Sequence, residues 1–359
     1  MAAGLGAAAA SSPVAELQAA LTALLVERSY VIAAATRAVA AAGGQIGDAP
    51  AVGALEALES VSGRLAQVLV DSYPGAAGPV LEALHQDDRL SAGHAVALAD
   101  GTAGVAGAAR SELDRGQRDL AQVLRQVVPG LDAAEVTEAL SGQVQAQLAV
   151  GRVDEYSRLR AAAREAAALA GLLAAGIAQD RGLGPAGTSA ARLRADLTGL
   201  LTEHASLAGA LPRELRAPGP AAADARQALQ ANAVALADLL GEAYPALRAA
   251  FLRSWTVHLG RLEAYAAARA AGGAGVAQDG PVRGYPTELA RLLAEHVRGL
   301  PAGTAVVELE PALSSLVGAV DAEAAAEPGA PEALRQAAQD VLPVAALLSA
   351  AVAEDLQLG

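Results

Sequence analysis

Cysteine is missing from all 359 residues. Disulfides, thiolate metal sites, iron–sulfur clusters and cysteine nucleophiles are therefore excluded, and the redox compartment stays open. Lysine is missing as well, so the 26 basic residues are all arginine. With 39 acidic residues they leave a net charge of −13. No run of five basic residues occurs, so the basic footprint that nucleic acid or an anionic membrane surface requires is absent, and no nucleic-acid partner is expected. Aromatics are only 2% of the chain, with one Trp and one Phe. Long uncharged apolar runs are lacking too. The Ala-rich stretches are broken by Arg, Glu or Gln every few residues, so no segment of about 18 apolar residues is evident and no transmembrane segment is expected. Met1 to Ser12 is small and apolar, too short for a secretory core and without a basic lead. It reads as a flexible N-terminus over residues 1–13, with no signal peptide in this chain.

What remains is a chain that is 53% hydrophobic, mostly Ala, Leu and Val. Ala and Leu are among the best helix formers, and strand-favouring aromatics are scarce. A core of thin side chains requires closely packed helices. The composition therefore points to an all-α protein. Enzyme signatures are missing: there is no P-loop, no GxGxxG after a strand, no GxSxG and no HExxH. A ferritin-like di-metal centre needs two Glu-x-x-His motifs. The chain offers one, Glu82 to His85.

The strongest signal is internal repetition. "LTALLVERSYVIAAA" from Leu21 matches "LTGLLTEHASLAGAL" from Leu197, at an offset of 176. "GRLAQVLVDSYP" ending at Pro74 matches "VALADLLGEAYP" ending at Pro245, and "SAGHAVALAD" with His94 falls on "WTVHLGRLEAY" with His258. "RDLAQVLRQVVPGL" pairs with "TELARLLAEHVRGL", "ALSGQV" from Ala139 with "ALSSLV" from Ala312, and "LAGLLAAGIAQD" ending at Asp180 with "VAALLSAAVAED" ending at Asp355. The matches keep their order, and drift in the offset marks loop insertions. Two tandem helical bundles of about six helices each are expected, related by duplication, over 14–184 and 189–359. Apolar periodicity and the Gly and Pro breakers predict helices at 14–42, 50–73, 76–105, 108–128, 132–149 and 151–181. In the second unit they fall at 189–216, 220–243, 246–271, 285–299, 303–323 and 330–356. The stretch Ala271 to Gly284 is the most loop-like.

The order of these blocks resembles an uncharacterised group of secreted helical proteins from GC-rich Gram-positive bacteria, some described as copper-amine-oxidase-like. The resemblance rests on "LLTEH" at His204, a second helix ending near Tyr244, and the "W…H" of Trp255 and His258. It implies an extracytoplasmic location and several histidines on the inner helices. Arg28 stands where the first unit would carry the first histidine, and Glu165 and Asp340 occupy late-helix histidine positions.

His204 and His258, with Glu203 and Asn232, form the best ligand constellation. They lie on three helices of one unit, and imidazole with carboxylate suits Zn, Cu or Fe. Neighbouring Glu203 and His204 point about 100° apart, so ordinary polar packing is the competing expectation. The leading expectation is a non-enzymatic binding or scaffold protein for an unknown small ligand or protein, without a cofactor. The alternative is a metal- or haem-binding protein, using Cu, Fe or haem, with His204, His258 and Glu203 as ligands. Glu295-His296 reads as a helix C-terminal pair. His85, with Asp87 and Asp88, reads as a solvated face. Trp255 fills a core gap, and Tyr73 and Tyr244 mark equivalent, largely buried helix exits.

Overall fold

Ala and Leu dominate each helix, and Gly, Pro or an N-capping residue punctuates them. The computed structural model describes residues 5–217, 219–273, 280 and 282–358. Among these there is no strand, and the chain is all-α. The helices are α1 Leu5–Ala10, α2 Pro13–Ala41, α3 Ala49–Ser72, α4 Ala77–Asp100, α5 Ala103–Val127, α6 Ala133–Ala149 and α7 Glu155–Arg181. They continue as α8 Ser189–Arg216, α9 Pro220–Ala243, α10 Pro245–Ala270, α11 Tyr285–His296, α12 Ala302–Ala324, α13 Ala330–Asp340 and α14 Leu342–Leu356. Half of the expected 271–284 loop, residues 274–279 and 281, lies outside the described residues.

Local chemistry explains several boundaries. Asp132 caps α6 by accepting from the backbone N–H groups of Ala134 and Glu135, which satisfies donors the helix leaves open. Gly182 ends α7 with φ of +63°, a left-handed conformation that costs glycine little. The expected single helix over 330–356 is two helices, α13 and α14. Pro343 has no N–H to donate back, which suits it to the first turn of a new helix.

The chain divides into two units. The N-terminal unit is Ala20–Ala186, and the C-terminal unit is Gly187–Gly359 together with Met1–Ala19. In the N-terminal unit α3, α4, α5 and α6 pack in succession and α7 packs on α6. Side chains of α2 reach α3, α4, α6 and α7. In the C-terminal unit α8 is the central helix, packed by α9, α10, α12, α13 and α14. This is why its residues 201–212 are buried on every side. Residues 5–10, expected within a flexible N-terminus, form α1 and lie on α8 and α14. Ala10 closes a small cluster with Ala190 and Ala353. Gly6 permits the approach, since a Cβ there would stand 1.9 Å from the Ala353 carbonyl oxygen.

One expectation is overturned. Four helical stretches, Pro13–Ala41, Glu155–Arg181, Ala302–Ala324 and Ala330–Leu356, are long and apolar enough to cross a membrane, by length and composition. The sequence reading required an uncharged run, whereas a window with up to two charged residues retains sufficient hydropathy. In the first stretch 89% of the apolar window is buried within the protein, and in the others 39–50%.

Candidate functional site

The C-terminal unit brings together the ring side chains that the sequence singled out. His204 sits in the middle of α8. On α10, Phe251, Trp255 and His258 recur at helical spacing and are all buried. Tyr285 opens α11 and is buried beside them. The His204 and His258 ring centres lie 5.7 Å apart. Trp255 meets His204 edge-on at 4.9 Å and stacks on Phe251 at 5.0 Å. Tyr285 stacks on His258 at 4.2 Å, with the planes 11° apart. An aromatic-poor chain thus gathers its single Trp and single Phe in one place.

The rings and the aliphatic side chains of Leu201, Leu289, Ala312, Leu313 and Leu316 line a cavity of about 60 Å³. Nδ1 of His204, Nδ1 of His258 and Nε1 of Trp255 belong to these lining residues, are buried, and have no hydrogen-bond partner among the described residues. A buried polar group left unpaired costs about 1–3 kcal/mol. Both imidazoles are held neutral. Burial lowers the His204 pKa to about 4. Burial, then His204 and Arg261, push that of His258 well below its usual value.

Glu203, the third expected ligand, is buried on α8. Its Oε2 accepts from Asn232 Nδ2 at 2.6 Å, and Asn232 also donates to the Leu200 carbonyl at 2.9 Å. The Asn232 amide thus holds one oxygen of the Glu203 carboxylate. Among the described residues no group of three His, Asp or Glu side chains is placed to hold a metal ion.

The matching positions of the N-terminal unit hold different chemistry. Arg28, which aligns with His204, is fully buried. Its guanidinium donates to Asp87 Oδ2 at 2.8 Å, Asp88 Oδ1 at 2.6 Å, Ser62 Oγ at 3.1 Å and Gln143 Oε1. Burial works against the charged guanidinium, but Asp88 and Asp87 outweigh it and raise the pKa. The Asp87 pKa is raised by burial, which Arg28 opposes. The sequence alone suggests a solvated face for Asp87 and Asp88. Asp87 is instead 1% exposed and Asp88 12%. The helical spacing that buries Leu84 and Ser91 on α4 also places Asp87 on the inner face, a signal that carboxylate polarity obscured. Glu27 pairs with Arg64, and His94 Nδ1 lies 2.7 Å from Gln147 Oε1. The two units therefore differ as a set: Arg28, Asp87, Ser91 and Gln143 stand where the repeat blocks place His204, Phe251, Trp255 and Leu316.

The remaining candidates are structural. Tyr244 donates to Asp355 Oδ2 at 2.8 Å and is half-buried. Tyr73 is buried, its pKa raised by burial and by neighbouring Asp180, with the Arg181 guanidinium 4.2 Å above its ring. His296 is the last residue of α11, and its Nδ1 lies 3.0 Å from the Leu292 carbonyl oxygen. His85 is half-buried, with Nε2 3.9 Å from Glu59. Asp340 closes α13 and accepts from Ser315 and Gln336, and Glu165 is exposed. Comparison of the chain with protein-family models, curated proteins and solved structures finds no match.

Proposed function

We propose that this chain is a binding protein whose ligand site is the ring-lined cavity of the C-terminal unit, and that the N-terminal unit is a scaffold copy of it. The observation that carries the reading is an apolar cavity of about 60 Å³ bordered by the rings of His204, Trp255, His258 and Tyr285. In the N-terminal unit the corresponding polar side chains bond one another instead.

Descent of both units from one ancestral bundle is part of the proposal. It is supported by the ordered repeat blocks and by recurrence of one tyrosine–aspartate neighbour pair, Tyr73 with Asp180 and Tyr244 with Asp355. An extracytoplasmic location is proposed from the sequence resemblance, and fractionation of the native cell tests it.

Xenon tests the site without prejudging the ligand, because it enters dry protein cavities. Pressurised xenon should produce saturable shifts of the Trp255 indole N–H and the Ala312 methyl resonance. Ala312→Leu, which fills the cavity, should remove them while N-terminal-unit resonances stay unmoved. No saturable shift in the wild-type chain would end the reading.

A metal-binding reading has one observation in its favour, two imidazoles 5.7 Å apart with unpartnered Nδ1 atoms. One oxygen of Glu203 accepts from Asn232. Haem does not fit, because even drug-sized ligands need about 300–1,000 Å³ and the cavity offers about 60 Å³. Stoichiometric Cu, Fe or Zn in dialysed protein, lost in His258→Leu, would replace the first reading with this one.

A further inference from the structure

Arg28 reaches side chains of α3, α4 and α6, and the charges around it do not balance. One guanidinium nitrogen, Nη2, donates to Asp87 Oδ2 at 2.8 Å and to Asp88 Oδ1 at 2.6 Å. Two carboxyl groups thus share a single, fully buried cation. The other partners, Ser62 of α3 and Gln143 of α6, are neutral. Nearby charges are occupied elsewhere. Glu27 of α2 pairs with Arg64 of α3. On α5, which packs along α4, Arg110 and Asp114 pair with each other. His94, two turns further along α4, lies against Gln147, and burial lowers its pKa. Among the described residues the charges that act on Asp87 are Arg28 and Asp88.

The two carboxyl groups are not equivalent. Asp88 keeps 12% exposure, and Arg28 and Ser62 both donate to its Oδ1, although its Oδ2 is unpaired. Asp87 is 1% exposed, accepts from Arg28 alone, and its Oδ1 is buried without a partner. A second full negative charge at Asp87 would have neither water nor a cation of its own. Burying an unpaired ion costs far more than burying a neutral polar group. A proton removes the excess charge without moving a side chain. Burial, opposed by Arg28 and reinforced by Asp88, shifts the Asp87 pKa upward.

We propose that the Arg28 cluster is a proton-binding site: the folded N-terminal unit keeps one proton on Asp87 beyond the pH at which an exposed aspartate releases it, which leaves Arg28 paired with Asp88 as the one carboxylate. The resulting pH response runs against that of an ordinary ion-paired carboxylate. Where the unfolded chain has lost the proton and the folded unit still holds it, stability falls with rising pH. This contribution is complete below about 3.8 and is lost as pH rises through the folded value. The buried histidines give the C-terminal unit the opposite sense, a loss toward acid.

Carbon-detected NMR of the full chain reads the proton directly. The Asp87 ¹³Cγ resonance, assigned through its backbone, should titrate with a midpoint above 3.8. A midpoint at or below that value would overturn the inference. Asp87→Asn supplies a second readout, because an amide has the shape of the carboxyl group and cannot ionise. Amide hydrogen exchange in α3 and α4 follows opening of the N-terminal unit in both chains, and His94, common to both, cancels in their ratio. Relative to Asp87→Asn, the wild-type unit should open more readily as pH rises from 4 to 8, by up to about tenfold per pH unit. A ratio that does not change with pH would overturn the inference as well. If Asp87→Asn does not fold, the carbon titration of the wild-type chain decides alone.

Discussion

Residues 28 and 204 align in the matching sequence blocks and meet opposite requirements. Arg28 keeps its charge inside the protein because two carboxylates, a hydroxyl and an amide oxygen surround it. His204 is buried by giving up its charge. Each has a measurable consequence. Arg28→Met leaves Asp87 and Asp88 without their cation, and breaking a buried pair in this way costs about 3–5 kcal/mol. Urea unfolding should register that loss in the N-terminal unit, and adding Asp87→Leu and Asp88→Leu should restore much of it. A loss under about 1 kcal/mol would show that the network is not the buried ion cluster described. The histidines govern acid sensitivity. Unfolded, a histidine takes up its proton near pH 6.5, whereas folded His204 does so only at about pH 4 and His258 well below its usual value. Between these limits the unfolded chain binds more protons. Stability of the C-terminal unit should therefore be fully present above pH 6.5 and fall toward pH 4, by up to about 1.4 kcal/mol per pH unit for each histidine. Urea unfolding at pH 7.5 and pH 5 measures the slope. The double variant His204→Leu/His258→Leu should flatten it, and an unchanged slope would refute neutral burial.

Among the elements, α2 and α8 hold the inner position of their units, and each carries one residue of the contrasting pair at mid-helix. Their apolar residues are not confined to one stripe, because neighbours surround them. The short helix α1 shows how an element is recruited by shape. A glycine and two alanines let it lie directly against α14 and α8, and Arg194 donates to the Ala10 carbonyl at 2.8 Å. Deleting residues 1–12 should expose Ala190 and Ala353 and destabilise the C-terminal unit by about 1–2 kcal/mol. Hydrogen exchange at residues 350–356 should quicken accordingly. Exchange that stays at the wild-type rate would show that α1 adds nothing to α14.

At the scale of the whole molecule, helix class and helix order were legible in the sequence, because both depend on local properties. Ala and Leu set propensity, apolar spacing set the faces, and glycine, proline and the Asp132 cap set the ends. The proximity of His204 and His258 was also readable, since mid-helix residues on packed helices of one short-looped unit come close. Other features were decided by tertiary structure alone. The burial of Asp87 and Asp88 depends on Arg28, 59 and 60 residues earlier in the chain, supplying the opposite charge. The bond between Glu203 and Asn232 depends on which way α9 faces. The cavity exists because rings from α8, α10 and α11 meet aliphatic side chains from α12 without filling the space between them. A sequence read along its own length records what each residue prefers. Whether a polar atom finds a partner depends on atoms brought from distant segments, and only the packed fold supplies those.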